Sequence, residues 1–226
     1  MMKSSPGARS WIAAGVRHEV LSRVLPALRH DMVAPVSVVR MALLTLRRQL
    51  QAEPVDGAAC LERVALLDDQ FGELTQRVRG LRDWDLTPTG EGVARTELVR
   101  ECVELLRPAF DLHGVALQVD ESLQEQADEA PLPHGGALRY LLLGALCYLN
   151  DSGHGPRCIR ITAREPQSVL LFIGPREGSA DGPDGAVNPA PRRLAIDAVA
   201  LQNLADDLGY EVAVDDAGLR LGLMPR

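Results

Sequence analysis

The sequence is poor in aromatic residues, which make up only 4% of its 226 positions. Because hydrophobic residues still account for 46%, the core must be built mainly from Leu, Val and Ala. The cysteines are also few and scattered, and no two of them form a C-x-x-C pair; they are Cys60, Cys102, Cys147 and Cys158. This spacing does not indicate a zinc or disulfide site, and we expect buried, reduced thiols.

Basic residues are outnumbered by acidic ones, which gives a formal net charge of -7, and no basic stripe is interleaved with aromatic residues. Nucleic-acid binding is therefore not expected. The longest apolar run, residues 138–149, contains Arg139 and is shorter than the roughly 20 residues of a membrane-spanning helix. The first 19 residues lack the apolar centre of a secretion signal. We expect a cytoplasmic protein with no membrane partner.

What the sequence does contain is two apolar seams with spacings of three and four residues, separated by the stretch "QAEPVDG". The first comprises Leu21, Leu25, Leu28, Met32, Pro35, Val39, Leu43, Leu46 and Leu50, and the second Leu61, Val64, Leu67, Phe71, Leu74, Val78 and Leu81. This pattern predicts an antiparallel helical hairpin over residues 12–88. Two helices cannot bury both seams on each other, so we expect a homodimer that forms a four-helix bundle.

Beyond Gly92 the pattern alternates between helices and strands. Helices are predicted at residues 94–114, 136–151 and 192–209, with Gly114 and Gly209 as stops. Strands are predicted at residues 115–120, 157–164 and 168–174 and in a closing hairpin around Asp216, Ala217 and Gly218. Residues 93–226 are therefore expected to form an α/β sandwich with one face of its sheet covered, and the chain as a whole belongs to the α+β class.

The stretch "LRHDMVAPVSVVRMALL", residues 28–44, is unusual for a packed helix. At about 100° per residue, His30 lies opposite the seam residues and should be exposed. An exposed neutral imidazole is a nucleophile at pH 7, and Asp31 can orient it or accept a proton. Pro35 removes the backbone donor to the Asp31 carbonyl and should bend the helix there. A similar pair, His18 and Glu19, has no proline five residues later and is interpreted as surface charge.

Four further residues share the side of the helix on which His30 lies. They are Val33, Ala34, Ser37 and Met41, and most are small or apolar. Apolar side chains on a solvent-facing side are typical of a docking surface, although incidental exposure explains each one taken singly equally well. The pattern is consistent with a phosphoryl-acceptor histidine that has a binding surface for a partner beside it.

The segment "LRHDMVAPVSVVRMALLTL" resembles the H-box of sensor histidine kinases, whose pattern is His-Asp/Glu-x-x-x-Pro on the first helix of a dimerisation and phosphotransfer hairpin. Residues 93–226 resemble the kinase ATPase domain in their order of elements. The likeness covers nearly all of the chain after about residue 15. It implies that His30 is the phosphoacceptor.

The nucleotide-binding motifs of that family are missing. The positions of its ATP-binding asparagines carry Gly144 and Tyr148, and Asn150 lies about half a turn out of phase. The strand at residues 168–174 is followed directly by "PREG", with no aspartate at the position where the family reads adenine. The stretch "NPAPRR" has prolines where the family has glycines that cradle phosphate. The resemblance thus implies a degenerate domain that binds no ATP.

A chain with the acceptor histidine but no ATP site resembles the histidine phosphotransferases built on the kinase-like fold. Such a protein would carry a phosphoryl group between the aspartates of receiver domains. It would bind no cofactor itself, because the receiver domain supplies Mg²⁺. The alternative is a pseudokinase that regulates a kinase or response regulator without carrying phosphate. An active kinase with an unusual ATP site is a third, weaker hypothesis.

Overall fold

The structure is a computed structural model that describes residues 6–84, 86, 92–123, 129–153, 157–163, 165, 167–175, 194–215 and 218–226. The helices are α1 (Pro6–Leu50), α2 (Gly57–Gly80), α3 (Arg95–Leu112), α4 (Gly135–Ser152) and α5 (Ala198–Leu208), with short 3-10 turns at Leu81–Trp84 and Glu121–Leu123. The strands are β1 (Val115–Val119), β2 (Arg157–Ala163), β3 (Ser168–Pro175), β4 (Val212–Asp215) and β5 (Gly218–Gly222). The predicted α+β class is confirmed, with the two helices of the hairpin preceding the α/β part of the chain.

The chain divides into two compact units. The helical unit is Leu25–Asp85, and the mixed unit combines Met1–Val24 with Leu86–Arg226. This division differs from the predicted boundaries, residues 12–88 and 93–226, because the first part of α1 packs within the mixed unit. The side chains that it buries recur every three or four residues, at Ala13, Val16, Val20 and Val24.

In the helical unit, α1 and α2 are joined by residues 51–56, and the Asp56 carboxylate caps α2 by accepting from the backbone N–H groups of Ala58 and Ala59. The Asp31–Arg77 ion pair places the middle of α1 near the last turns of α2, as an antiparallel hairpin requires.

Much of the apolar surface of these two helices is exposed in the single chain. In α1 the stripe that is buried or half-buried comprises Leu28, Met32, Pro35, Val39, Ala42 and Leu46. The exposed apolar side chains include Val36, Leu43 and Leu50 of α1 and Leu61, Val64, Phe71 and Val78 of α2. Each helix thus has an apolar face that the hairpin leaves uncovered.

The mixed unit is built on one five-stranded sheet of order β1-β2-β3-β5-β4. Strands β1 and β2 are parallel, and the other neighbours are antiparallel. Partners in register on one face, Ile161, Leu171 and Leu219, are completely buried, whereas Arg160 and Arg220 of the alternate positions are exposed. This alternation shows that the core lies on one face of the sheet, as predicted.

The last helix begins later than predicted. Residues 194–197 are not helical, and α5 starts at Ala198, because the carboxylate of Asp197 accepts from the backbone N–H of Ala200 at 2.7 Å. An aspartate at this position is a strong N-cap that the apolar periodicity does not reveal. The predicted stop at Gly209 is confirmed, since its φ of 80° is the left-handed conformation that glycine favours.

Arg23 fastens the first part of α1 within the mixed unit. Its guanidinium donates to both carboxylate oxygens of Asp151 at 3.0 and 2.8 Å, and to the backbone carbonyl of Leu194 at 2.6 Å. Asp151 also accepts from the backbone N–H of Ile196 at 2.8 Å, and its side chain is only 3% exposed. One ion pair therefore ties together α1, the end of α4 and the segment that leads into α5.

Replacing Arg23 with Met should lower the free energy of unfolding of the mixed unit by about 3 kcal/mol, because it leaves the carboxylate of Asp151 buried without its counter-ion. Urea unfolding of the full chain, followed by circular dichroism, measures the change. The matched control is Arg17→Met, whose partner Asp207 is more exposed; it should cost at most about 1 kcal/mol. Equal effects of the two substitutions would contradict the role assigned to Arg23.

Candidate functional site

His30 lies on α1 within the helical unit, with its side chain 83% exposed. The exposure expected from the helical phase is therefore observed, because Leu28 and Met32, which flank it, turn toward the half-buried stripe. A side chain in this position is accessible to a second protein from the solvent side.

Asp31 faces the Nδ1 side of the His30 ring, with 3.6 Å between Nδ1 and the carboxylate Oδ1. This distance is longer than a hydrogen bond, although contacts between catalytic groups are often long before a partner binds and tighten in the complex. The other carboxylate oxygen, Oδ2, lies 3.6 Å from the guanidinium Nη1 of Arg77 on α2. The carboxylate thus lies between an imidazole and a guanidinium.

Arg77 is the residue near His30 that the sequence does not reveal. Its only signal is a basic side chain in the last turns of the second predicted helix, where Arg79 and Arg82 are equally good candidates. The register between two antiparallel helices decides which of them meets Asp31. That register is a property of the packing.

Pro35 is buried in the stripe of α1, and the helix continues through it to Leu50. Since proline has no N–H, the carbonyl of Asp31 loses its donor from the following turn. The hydroxyl of Ser37 donates to the carbonyl of Val33 at 3.1 Å, a bond that also favours bending of a helix. Both features lie in the turn of α1 directly after His30.

The other residues predicted to bind a partner are all exposed on α1. Val33 is 53% and Met41 64% exposed, and Ala34 and Ser37 are exposed as well. Leu44, which the sequence analysis did not single out, is 47% exposed and lies within about 40° of His30 around the helix. Together these residues form a mainly apolar strip beside the imidazole, and we refer to Val33, Ala34, Ser37, Met41 and Leu44 as the His30 strip.

The rival pair near the beginning of α1 has a different environment. His18 is exposed, but Glu19 is 8% exposed and its carboxylate accepts from Nε of Arg23 at 2.9 Å. The interpretation of this pair as surface charge is therefore wrong for Glu19, which is buried because it belongs to the ion-pair network of the mixed unit. Asp31 beside His30 is 49% exposed and stays within reach of its histidine.

Thiol and metal chemistry receive no support from the described residues. All four cysteines are free and buried, as expected, and burial raises the pKa of Cys147 to about 12. Among the described residues, no group of three or more His, Cys, Asp or Glu side chains could hold a metal ion. No helix in the described part of the chain is both long and apolar enough to cross a membrane.

The positions at which the resemblance places ATP-binding asparagines lie on α4. Gly144 is buried, and a Cβ atom there would lie 2.9 Å from Leu204 Cδ2, 3.7 Å from Leu201 Cδ1 and 4.0 Å from Val16 Cγ1. The side chain of Tyr148 is half-buried, and the backbone carbonyl of Asn150 accepts from Arg157. Residues 176–193, which include "NPAPRR", lie outside the described residues.

No known protein-family profile matches the chain, and neither does any curated protein. Among solved structures, the chain is similar to the histidine kinase AdeS of Acinetobacter baumannii, with 14% identity, a TM-score of 0.33 and coverage of 81% of this chain and 96% of that one. A histidine kinase from Burkholderia phymatum shares 12% identity with a TM-score of 0.38, over 88% of this chain and 98% of the other. Full-length ShkA in complex with AMPPNP shares 15% identity with a TM-score of 0.34, over 91% of this chain and 47% of that one. Identities and TM-scores of this size assign no function to the chain.

Replacing Pro35 with Ala should raise the free energy of unfolding of the helical unit by about 1–2 kcal/mol, because alanine restores the backbone donor that the Asp31 carbonyl lacks. Thermal and urea unfolding measure the gain. Pro26→Ala should gain at least as much, since Pro26 is exposed and its replacement sacrifices no packing. A loss of stability in Pro35→Ala alone would show that the packing of this ring outweighs the cost to the backbone.

Proposed function

We propose that this protein is a histidine phosphotransferase, in which His30 receives a phosphoryl group from a receiver-domain aspartate and passes it to another receiver in a two-component phosphorelay. The observation that carries the proposal is the exposed imidazole of His30 with a carboxylate at its Nδ1 side. This arrangement combines an accessible nucleophile with a group that orients it. The protein would act as a phosphoryl carrier.

The chemistry follows from which ring nitrogen faces Asp31. A carboxylate near Nδ1 favours the proton on that nitrogen, which leaves the lone pair on Nε2. Nε2 then attacks the phosphorus of a phospho-aspartate. The N–P bond forms, the P–O bond breaks, and the carboxylate leaves with the electron pair. The positive charge that the ring gains lies next to Asp31, and transfer to the next receiver reverses these steps.

The partner would be a receiver domain that docks on the His30 strip. Its apolar side chains, Val33 and Met41, offer an area that a partner can bury around the imidazole. Phosphoryl transfer of this kind depends on in-line positioning and on a Mg²⁺ ion, which the receiver's acidic pocket would supply. This protein would contribute His30, the orienting carboxylate of Asp31 and the docking surface of the His30 strip.

Transfer without ATP is the second part of the proposal. The site that would need a polar side chain on α4 holds Gly144, packed against Leu201, Leu204 and Val16. An asparagine there would require Leu204 to shift, and these three apolar side chains provide no polar partner for its amide. The phosphoryl group would therefore come from a receiver and not from a nucleotide bound to this chain.

A homodimer is the third part. The exposed apolar faces of α1 and α2 include Leu43, Leu50, Leu61 and Phe71, all at least 45% exposed in the single chain. A second copy with the same two faces would bury them in a four-helix bundle. The dimer would thus cover the surface that the helical hairpin leaves open.

A regulator that binds a kinase or a response regulator without carrying phosphate is the alternative. It would use the same apolar strip, so exposure of that strip favours neither hypothesis. The orientation of Asp31 toward Nδ1 favours transfer, because docking alone does not need an acid at that nitrogen. The two hypotheses differ in whether His30 becomes phosphorylated.

The decisive assay mixes the full-length protein with a panel of phosphorylated receiver domains in the presence of Mg²⁺ and follows acid-labile phosphate. Label should appear on the wild type and disappear in His30→Gln, since glutamine keeps polarity and approximate size without a nucleophilic ring. His18→Gln is the matched control and should be labelled like the wild type. Stable complexes with receivers but no label on any of them would support the regulator instead.

Nucleotide binding gives an independent test. Calorimetry with ATP and Mg²⁺ should show no binding to the wild type, and Gly144→Asn should restore none. The substitution should lower the free energy of unfolding by about 2–3 kcal/mol, because it forces a polar group among leucines. Gly72→Asn, at an α2 position where an added Cβ would have no neighbour within 4 Å, is the control and should change stability by less than about 0.5 kcal/mol. Micromolar ATP binding to the wild type would contradict this part of the proposal.

A further inference from the structure

We propose that Arg77 is a positioning residue for His30, which holds the Asp31 carboxylate and offsets its negative charge when the imidazole accepts a phosphoryl group. This inference rests on the proposed function and adds to it a residue from the second helix. Among the described residues, Arg77 is the basic residue of α2 that forms an ion pair with Asp31.

The geometry places the three groups in a row. The Asp31 carboxylate has one oxygen 3.6 Å from His30 Nδ1 and the other 3.6 Å from Nη1 of Arg77. A carboxylate held at both oxygens has fewer orientations than one held at neither. The guanidinium therefore favours the orientation in which Oδ1 faces the ring, and it does so from a different helix.

Charge explains why such a residue is needed. A phosphoryl group on Nε2 carries close to two negative charges at neutral pH, and Asp31 is adjacent to the same ring. Two neighbouring anions repel each other, which disfavours the phosphorylated state. The positive charge of Arg77 offsets the negative charge of Asp31. The carboxylate can then orient the imidazole without opposing the incoming phosphoryl group.

All three side chains are partly exposed, at 83% for His30, 49% for Asp31 and 43% for Arg77. Water and salt therefore screen the interaction, and the expected effect is moderate. The same exposure means that substitutions at position 77 should not prevent folding. The role of Arg77 can therefore be tested with a series of variants that differ in the charge at position 77.

The test uses phosphoramidate, a small phosphoryl donor that needs no receiver domain. Nε2 attacks phosphorus, the N–P bond to the ring forms, the P–N bond of the donor breaks, and ammonia leaves with the electron pair. The initial rate of His30 labelling is measured at low ionic strength for the full-length wild type and for Arg77→Lys, Arg77→Met and Arg77→Glu. Arg79→Met, about 160° away around α2, removes an equal charge from the far side of the helix.

The rate should fall with the charge at position 77. We expect Arg77→Lys to label within twofold of the wild type, Arg77→Met about fivefold slower and Arg77→Glu slower still, whereas Arg79→Met should match the wild type. Added salt should reduce these differences. Nuclear magnetic resonance should show phosphate mainly on Nε2 in the wild type and a larger share on Nδ1 in Arg77→Met, since Asp31 then covers Nδ1 less well.

Equal rates across the series, or a loss in Arg77→Met that lysine does not rescue, would overturn the inference. Circular dichroism of each variant separates either result from unfolding. The proposed function fails by a different measurement, namely the absence of label from every receiver domain. A wild type that accepts phosphate from a receiver while the Arg77 series is flat would leave the phosphotransferase intact and remove only the role of Arg77.

Discussion

The position of α1 within the mixed unit depends on the ion pair between Arg23 and Asp151. Three segments that are distant in sequence meet at it: the first part of α1, the end of α4 and the residues before α5. Asp151 is almost completely buried, and the Arg23 guanidinium and the Ile196 backbone N–H both stabilise its charge. The hydrophobic stripe of α1 favours packing, and this pair adds a directional polar contact between the helix and the end of α4.

The residues around His30, unlike the buried Asp151, are exposed to solvent. An exposed imidazole can meet a second protein, but it gains little from burial, and its neighbours must orient it through contacts that water weakens. Asp31 lies 3.6 Å from the ring on the same helix, and Arg77 of the next helix lies 3.6 Å from the Asp31 carboxylate. Pro35 gives up a helical hydrogen bond one turn later, a local loss of stability at the point where a partner would dock.

Most of the elements could be predicted from the sequence because their signals are local. The seams of α1 and α2 follow from spacings of three and four, and the predicted strands match β1 to β5 closely. Gly114 and Gly209 mark helix ends because both adopt a positive φ. The predicted start of α5 was wrong. The apolar residues before Asp197 have the spacing of a helix, but the cap at Asp197 decides where the helix begins.

The sequence by itself determined which residues could act: a histidine opposite an apolar seam, an acid beside it and a proline one turn on, all set by positions along a single helix. Only the tertiary structure decided that Arg77, and neither Arg79 nor Arg82, reaches the acid, because this depends on the register of two helices. It also decided that Val16 and two leucines of α5 fill the space next to Gly144. Periodicity fixes the direction of a side chain around its own helix, whereas the contacts between segments distant in sequence depend on packing that no local pattern encodes.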